Sequence, residues 1–365
     1  MAKELNLEDL LTKEPFFDAK PLYDLLYDFS DSYKKYFILQ ASMDIGLFDR
    51  LGEPKTVSDL AKELEAELSL LQKICDCLSI MGFLTKEKGF YKNTEISNLY
   101  LRAGSPMNQH NVFKNLHNGL ILWDKLAEIA RQGPVLINEE KFFSDNLIHS
   151  LAEEAICGEL QRTVSIVAGL PGFQKAKTIL DLGGGHGMYA IAFSKLNPDL
   201  QAYVYDFPDV TQNTRTYIQK HKADRVDVIQ GNFFTDDLYG EYDVVFFSSN
   251  PGGKNPRLVP KIHACLKEGG LFINKHCFYR QNDGSKNCLL DIEWNLTSFA
   301  GVQKGQRIYS FKEDLSFEDY MNLLNKYFTI KRVIEAPAFK GYPLSKIGDA
   351  LDSKIIISEK NKSTR

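Results

Sequence analysis

Thr178-Ile179-Leu180-Asp181-Leu182-Gly183-Gly184-Gly185-His186-Gly187 is the stretch on which the reading of this sequence turns. Apolar residues around a single acid predict a buried strand, the glycines a tight turn, and a helix begins at about Met188. Glycines in such a turn let a ligand approach the backbone at the N-terminus of the following helix. Asp206 lies nineteen residues beyond Gly187, at the end of the next predicted strand. A carboxylate there suits the two hydroxyls of a ribose.

The turn alone leaves two readings. Gly185-His186-Gly187-Met188-Tyr189-Ala190 satisfies the GxGxxA form of a dinucleotide fingerprint, which points to an NAD-type dehydrogenase. Against this, Asp181 stands just before the glycines, where a pyrophosphate gains nothing from a negative charge. A carboxylate at that place suits the cationic amino group of a bound amino acid. Nor does a second nucleotide-binding half follow the first five strands. The balance favours a methyl-donor site.

Outward from the turn, short apolar runs alternate with helical stretches at 178–182, 202–205, 226–229, 243–248 and 271–274. That alternation predicts a parallel sheet covered on both faces, and two further β-rich runs at 328–334 and 354–358 close the chain. Toward the N-terminus the pattern is helical. Tyr33, Phe37, Ala41, Ile45 and Phe48 mark one apolar face, Thr56 to Asp59 reads as a helix start, and a helix over 68–81 ends at Gly82. Residues 83–91 read as a hairpin, so the order is that of a winged helix. Two further helical patterns, one through Leu116–Ala130 and one over 152–169, are expected to bridge the halves and roof a pocket. The predicted organisation is an arm at 1–32, broken at Pro15 and Pro21, and a winged-helix-like domain at 33–105. A helical pocket region at 106–172 and an α/β, Rossmann-like domain at 173–365 follow.

Composition narrows the partners. The 365 residues are 44% hydrophobic and 25% charged, an ordinary globular balance that favours two domains. Lys and Arg number 44 against 48 Asp and Glu, so the basic excess of a nucleic-acid or membrane-surface protein is missing. Residues 56–82 carry Asp59, Glu63, Glu65, Glu67 and Asp76 against Lys62 and Lys73, the wrong sign for a DNA-reading winged helix. There is no apolar run of membrane length and no signal-like N-terminus, which predicts a cytoplasmic protein. Six scattered cysteines without a CxxC pair read as reduced thiols.

Residues 33–336 resemble the S-adenosylmethionine-dependent small-molecule O-methyltransferases, a family that includes plant phenylpropanoid and bacterial antibiotic-tailoring enzymes. The resemblance rests on several motifs in order. They are Asp181 to Gly187, Val204-Tyr205-Asp206-Phe207-Pro208-Asp209-Val210, Gly231-Asn232-Phe233-Phe234, Leu266-Lys267-Glu268-Gly269-Gly270, and the N-terminal stretch 38–54. It implies a seven-stranded sheet whose last strand is antiparallel, S-adenosylmethionine as cofactor, a small-molecule methyl acceptor and a homodimer. It carries cofactor contacts onto Asp181, Gly183, Gly185, Gly187, Asp206, Phe207, Asn232, Phe233 and Ser248. Asn232 stands where the family usually has Asp, keeping a carbonyl oxygen that can accept from the adenine amino group. Acceptor-pocket positions are expected at His117, Asn250, Asp291 and Trp294.

One part of the pattern fails. O-methylating members carry a catalytic His just after the fourth strand, followed by Asp and Trp. Here the segment reads Phe246-Phe247-Ser248-Ser249-Asn250-Pro251-Gly252-Gly253-Lys254-Asn255, without His or acid, and shorter than the family norm. Three readings stay open. The acceptor needs no base; or a base comes from His117, His149, Asp291 or Glu293; or the chain binds cofactor with lost or altered activity. His186, inside the glycine turn, is not read as catalytic despite its place beside the cofactor loop; His276 and Cys277 after the fifth strand are read as packing residues, with a place at the pocket edge as the alternative. Nothing in the sequence tells oxygen from sulfur, nitrogen or carbon as the methylated atom.

Overall fold

The computed structural model describes residues 11–250, 252–340 and 353–361. The chain divides into two compact units, Met1–Asn108 and Gln109–Arg365.

In the first unit the helix Lys20–Asp44 starts well inside the stretch 1–32 read as a broken arm. Pro21 does not break it. It sits in the first helical turn, where the missing N–H is not needed for an intrahelical bond. The apolar face from Tyr33 to Phe48 is also interrupted. Gly46 adopts φ 73°, ends the helix and starts a separate short one, Leu47–Arg50. Strand β1 (Lys55–Thr56) leads into the helix Val57–Glu63, whose N-cap Thr56 accepts from the Asp59 N–H at 3.2 Å. The helix Leu68–Ile80 is followed by β2 (Leu84–Glu87) and β3 (Phe90–Asn93). The hairpin turn is Lys88-Gly89 with φ 48° and 84°, both in the left-handed region that a two-residue hairpin loop needs. With β1 paired to β3, the expected hairpin is extended to a three-stranded wing.

The second unit opens with helices broken where a single pattern was read. His110–Asp124 and Leu126–Gln132 separate at Lys125; Ile148–Ala155 and Glu159–Ala168 separate before Gly158, whose φ is 124°. Between them β4 (Val135–Ile137) later pairs with β10 (Thr297–Phe299). The main sheet comprises β5 (Thr178–Leu182), β6 (Gln201–Asp206), β7 (Val226–Gln230), β8 (Tyr242–Ser248) and β9 (Leu266–Cys277). It is completed by β11 (Phe328–Glu335) and β12 (Ser353–Lys360), in the order β11-β12-β9-β8-β5-β6-β7. The strands β5 to β9 are parallel; β12 runs antiparallel to β9 and β11 antiparallel to β12.

Period-two alternation gives the sheet two buried faces. Val244, Phe246, Leu271 and Ile273 face a core with Val164, Val167, Ile191 and Phe193 from the helices Glu159–Ala168 and Met188–Leu196. Val245, Phe247 and Phe272 face the other core, with Val259 and Ile262 of Leu258–Cys265 and Leu324 of Phe317–Tyr327. Burying each such side chain contributes about 1.5–3 kcal/mol. From β5 the chain goes out to β6 and β7 on one side and returns to β8 on the other. That reversal leaves a crevice beyond the C-terminal ends of β5 and β8, the place where open α/β sheets bind ligands.

Candidate active site

The glycine turn fills one wall of that crevice. Gly183, Gly185 and Gly187 have φ of 62°, 53° and 70°, a conformation that side-chain-bearing residues adopt only at a cost. Their surroundings differ. A β-carbon at Gly183 would meet the Asn250 Nδ2 at 2.5 Å and the Phe233 ring at 3.3 Å, and one at Gly187 would meet Thr214 at 2.7 Å. At Gly185 nothing stands within 4 Å. The backbone of Gly185 therefore borders open space while its neighbours are packed, the form of a cradle for a ligand.

Two carboxyls frame the turn. Asp206, at the end of β6, accepts the Gly185 N–H through Oδ2 at 2.8 Å and the Phe207 N–H through Oδ1 at 2.8 Å. Burial pushes its pKa up to about 6, against those two donors. Each oxygen keeps a lone pair for a further donor. Asp181, on β5, is 1% exposed, and its Oδ2 has no hydrogen-bond partner among the described residues. Burial raises it to about 8, against the Ala190 N–H and with Asp206 adding. An orphaned buried carboxyl oxygen of this kind awaits a donor or a cation.

A second wall of the crevice lies after β7. Asn232 uses Oδ1 to accept the Phe234 N–H at 2.9 Å, and its own N–H donates to Asp236. Phe233 is buried, with ring centroids 4.8 Å from Phe234 and 5.5 Å from Phe247. Ser248 ends β8, its Oγ 3.3 Å from that of Ser249. Asn250 lies against Gly183, so the structure brings it to the glycine turn. These side chains fit a nucleoside carrying an amino acid: a carboxylate toward hydroxyls, an aromatic wall, and an unpartnered carboxyl at the glycines.

The other expected positions are dispersed. His117 lies on His110–Asp124. His149 bonds the Tyr217 hydroxyl at 2.9 Å. Asp291 accepts the Ile308 N–H at 2.8 Å and borders a cavity of about 750 Å³ with Lys254, Arg280 and Arg307. Trp294 is 9% exposed and packs with Phe299 and Phe311, with the Lys304 ammonium 4.2 Å above its ring. It is a core residue first. His186 accepts the Met188 N–H through Nδ1 at 3.1 Å, and burial lowers its pKa to about 4, so it is a neutral cap on the helix Met188–Leu196.

The segment after β8 has its own logic. Pro251 lies outside the described residues. A β-carbon at Gly252 would strike the Phe234 ring, and one at Gly253 would strike the His276 imidazole. Lys254 is turned into the protein. Its ammonium donates to the Cys277 and Tyr309 carbonyls at 3.0 and 2.7 Å and pairs with buried Asp314 at 3.5 Å. His276, 2% exposed and edge-on to Phe247, is driven well below the usual histidine pKa by burial and by the Lys254 and Lys275 charges.

Sequence reasoning missed Lys275. The apolar run predicts a strand over 271–274, whereas the strand continues to Cys277 and takes Lys275 with it. On β9 it shares a face with Leu271 and Ile273, is 2% exposed, and pairs with Glu159. The residues from Leu271 to Cys277 are buried on both faces, so no polar-apolar alternation in the sequence marked Lys275 as lying inside the strand.

Known proteins resemble this chain in sequence and fold. An O-methyltransferase domain model matches residues 149–287 and an O-methyltransferase dimerisation domain model matches residues 27–103. An uncharacterized protein of Methanocaldococcus jannaschii is 34% identical over 338 residues, 91% of both chains. Acetylserotonin O-methyltransferase of Homo sapiens is 28% identical over 277 residues, 69% of this chain and 79% of that one. An O-methyltransferase family protein from Burkholderia thailandensis superposes with a TM-score of 0.69 at 18% identity, covering 96% of this chain and 100% of the other. Human N-acetylserotonin methyltransferase in complex with S-adenosylmethionine superposes at 0.64 with 20% identity, covering 96% and 99%. The chain belongs to the O-methyltransferase family and is an S-adenosylmethionine-dependent methyltransferase.

Proposed function

We propose that this enzyme methylates a small molecule whose accepting atom is already ionised or needs no histidine base. The observation that carries this reading is the closure of the loop after β8. Gly252 and Gly253 are packed under Phe234 and His276, the loop's lysine is committed to Asp314, and His276 is 2% exposed and driven well below the usual histidine pKa by burial, so the loop presents no exposed base to take a proton. Among the alternatives, His149 is engaged by Tyr217 and Asp291 by the Ile308 N–H.

When bound, S-adenosylmethionine supplies an electrophilic methyl on a positively charged sulfur. The chain's own residues bind and orient. Asp206 accepts from the ribose hydroxyls, Asp181 faces the cationic amino group, and Phe233 with Asn232 flanks the adenine. Gly183, Gly185, Gly187, Phe207 and Ser248 shape the wall. Holding nucleophile, methyl and sulfur in line can supply ~7–11 kcal/mol of the barrier without any proton transfer. Asn250, beside the glycine turn, is the first candidate for an acceptor contact, with Asp291, Trp294 and His117 as further candidates on separate elements.

The helix Lys20–Asp44 exposes Leu22, Tyr23, Leu26, Tyr27, Phe29 and Tyr33, an apolar stripe that a second copy of the chain would cover. Similarity to the dimerisation domain supports that reading. No helix among the described residues is long and apolar enough to cross a membrane, and we place the enzyme in the cytoplasm. Incubation with S-adenosylmethionine and a panel of thiols, phenols and amines, read as S-adenosylhomocysteine formed, tests the activity. Cofactor binding without product from any acceptor would instead favour a binding protein without turnover.

A further inference from the structure

Behind the C-terminal ends of β8 and β9 lies a buried charge group that the cofactor assignment does not use. Lys275 stands in register with Ser248 across the two strands. Its ammonium pairs with Glu159 and lies 3.3 Å from the Tyr189 hydroxyl, 3.4 Å from the Ser248 Oγ and 3.3 Å from the Ser249 Oγ. Lys340 approaches the same Glu159 at 3.3 Å. Two ammonium groups thus share one carboxylate. Glu159 is held ionised at about 2 although burial works the other way, because both lysines oppose it. Glu154, the neighbouring carboxyl, is pushed upward by burial, toward its neutral form. Burial and the Lys275 charge work against the Lys340 ammonium as well, so the firm geometric feature is two lysines converging on one carboxylate in a setting where charge is screened weakly.

The hydroxyls transmit that charge outward. Lys275 is 2% exposed, Ser248 half-buried and Ser249 exposed. A hydroxyl that accepts from an ammonium keeps its own proton to donate. With Ser248 and Ser249 3.3 Å apart, one proton can run between them and the other point away from the lysine. Ser249 is held at φ 55°, a left-handed conformation unusual for serine, by its N–H bond to the Lys275 carbonyl at 2.7 Å. Strain of this kind persists where the surroundings impose it, and it clusters at ligand-contacting positions.

We propose that Ser248 and Ser249, backed by Lys275, form a corner that binds an anionic oxygen, a carboxylate or an ionised hydroxyl, beside the glycine turn. The inference rests on the reading that the reaction takes place beyond β5 and β8. Two sources carry such an oxygen: the amino-acid carboxylate of the cofactor, or the acceptor. An acceptor held there in its ionised form would need no histidine base, in keeping with the closed loop after β8.

The test uses the full chain with Ser249→Ala, an exposed position that spares the fold, beside Lys275→Met and the paired change Lys275→Met with Glu159→Gln. Calorimetric titrations use S-adenosylhomocysteine and 5′-methylthioadenosine, which is the same nucleoside thioether without the amino-acid end. Benzoate and benzamide are then titrated into the S-adenosylhomocysteine complex. If the cofactor is the source, the variants lose about tenfold for S-adenosylhomocysteine and stay within twofold for methylthioadenosine. If the acceptor is the source, both nucleosides bind as in the parent and benzoate binding falls about tenfold, benzamide being unaffected. Unchanged binding of all probes, or equal loss of both nucleosides in Ser249→Ala, overturns the proposal. Failure of the parent protein to bind methylthioadenosine would instead overturn the glycine-turn reading beneath it.

Discussion

The imidazole of His276 occupies the space that a side chain at Gly253 would need. It reaches there from β9, with its ring edge-on to Phe247 at 5.0 Å. The loop after β8 is thus filled from a neighbouring strand. Gly253→Ala forces the imidazole or the backbone to move, and overpacking of this kind costs about 1–3 kcal/mol. Denaturant unfolding should show that loss. His276→Ala should recover part of it when combined with Gly253→Ala, by opening the space; simple additivity of the two changes would contradict the packing described.

Gly185 is predicted to be the most sensitive position for cofactor binding. Its φ of 53° and the empty space around its missing side chain mean that a valine pays backbone strain of about 1–2 kcal/mol and also enters the ligand's space. Gly185→Val should weaken S-adenosylhomocysteine by well over tenfold, with a cooperative unfolding transition retained. Parent-like affinity would remove the turn from the site.

The two raised carboxyls give cofactor binding a pH signature. Asp206 is raised to about 6, and ribose hydroxyls bond its ionised form, so affinity should climb as pH rises through about 6. Asp206→Asn should bind more weakly, by about 1.5–3 kcal/mol, and lose that limb. Asp181, raised to about 8, is largely protonated at neutral pH, and an ammonium beside it favours the charged form. Binding of S-adenosylhomocysteine at pH 7 should therefore release protons, seen as a calorimetric enthalpy that varies with the buffer. Methylthioadenosine, or the Asp181→Asn variant, should release none through this group.

Much of the sheet could be read in advance because alternation, glycine turn and the terminal β runs point to one topology. The hairpin likewise follows from Lys88-Gly89. What escaped has local causes. Pro21 reads as a breaker but lies in a first turn, and Gly46, Lys125 and Gly158 divide helices whose apolar spacing runs on across the break. At the site, the turn and Asp206 were legible because their chemistry is local in sequence. The Lys275 and Glu159 pair was not, because its members lie 116 residues apart and only folding brings them together.

The apolar stripe of Lys20–Asp44 predicts association. Tyr27 is 67% exposed on it, and Tyr27→Asp should shift light scattering from a dimer toward the 41.5 kDa monomer at micromolar concentration. A parent chain that is already monomeric at that concentration would exclude the dimer.

The most direct test of base-free transfer is the pH dependence of kcat/KM for two phenols or two thiols of different acidity. Base-free transfer should give an inflection that moves with the acceptor's own ionisation and persists when His117 or His149 is replaced by alanine. A common inflection in the histidine range, about 6 to 7, that disappears in one of those variants would contradict it.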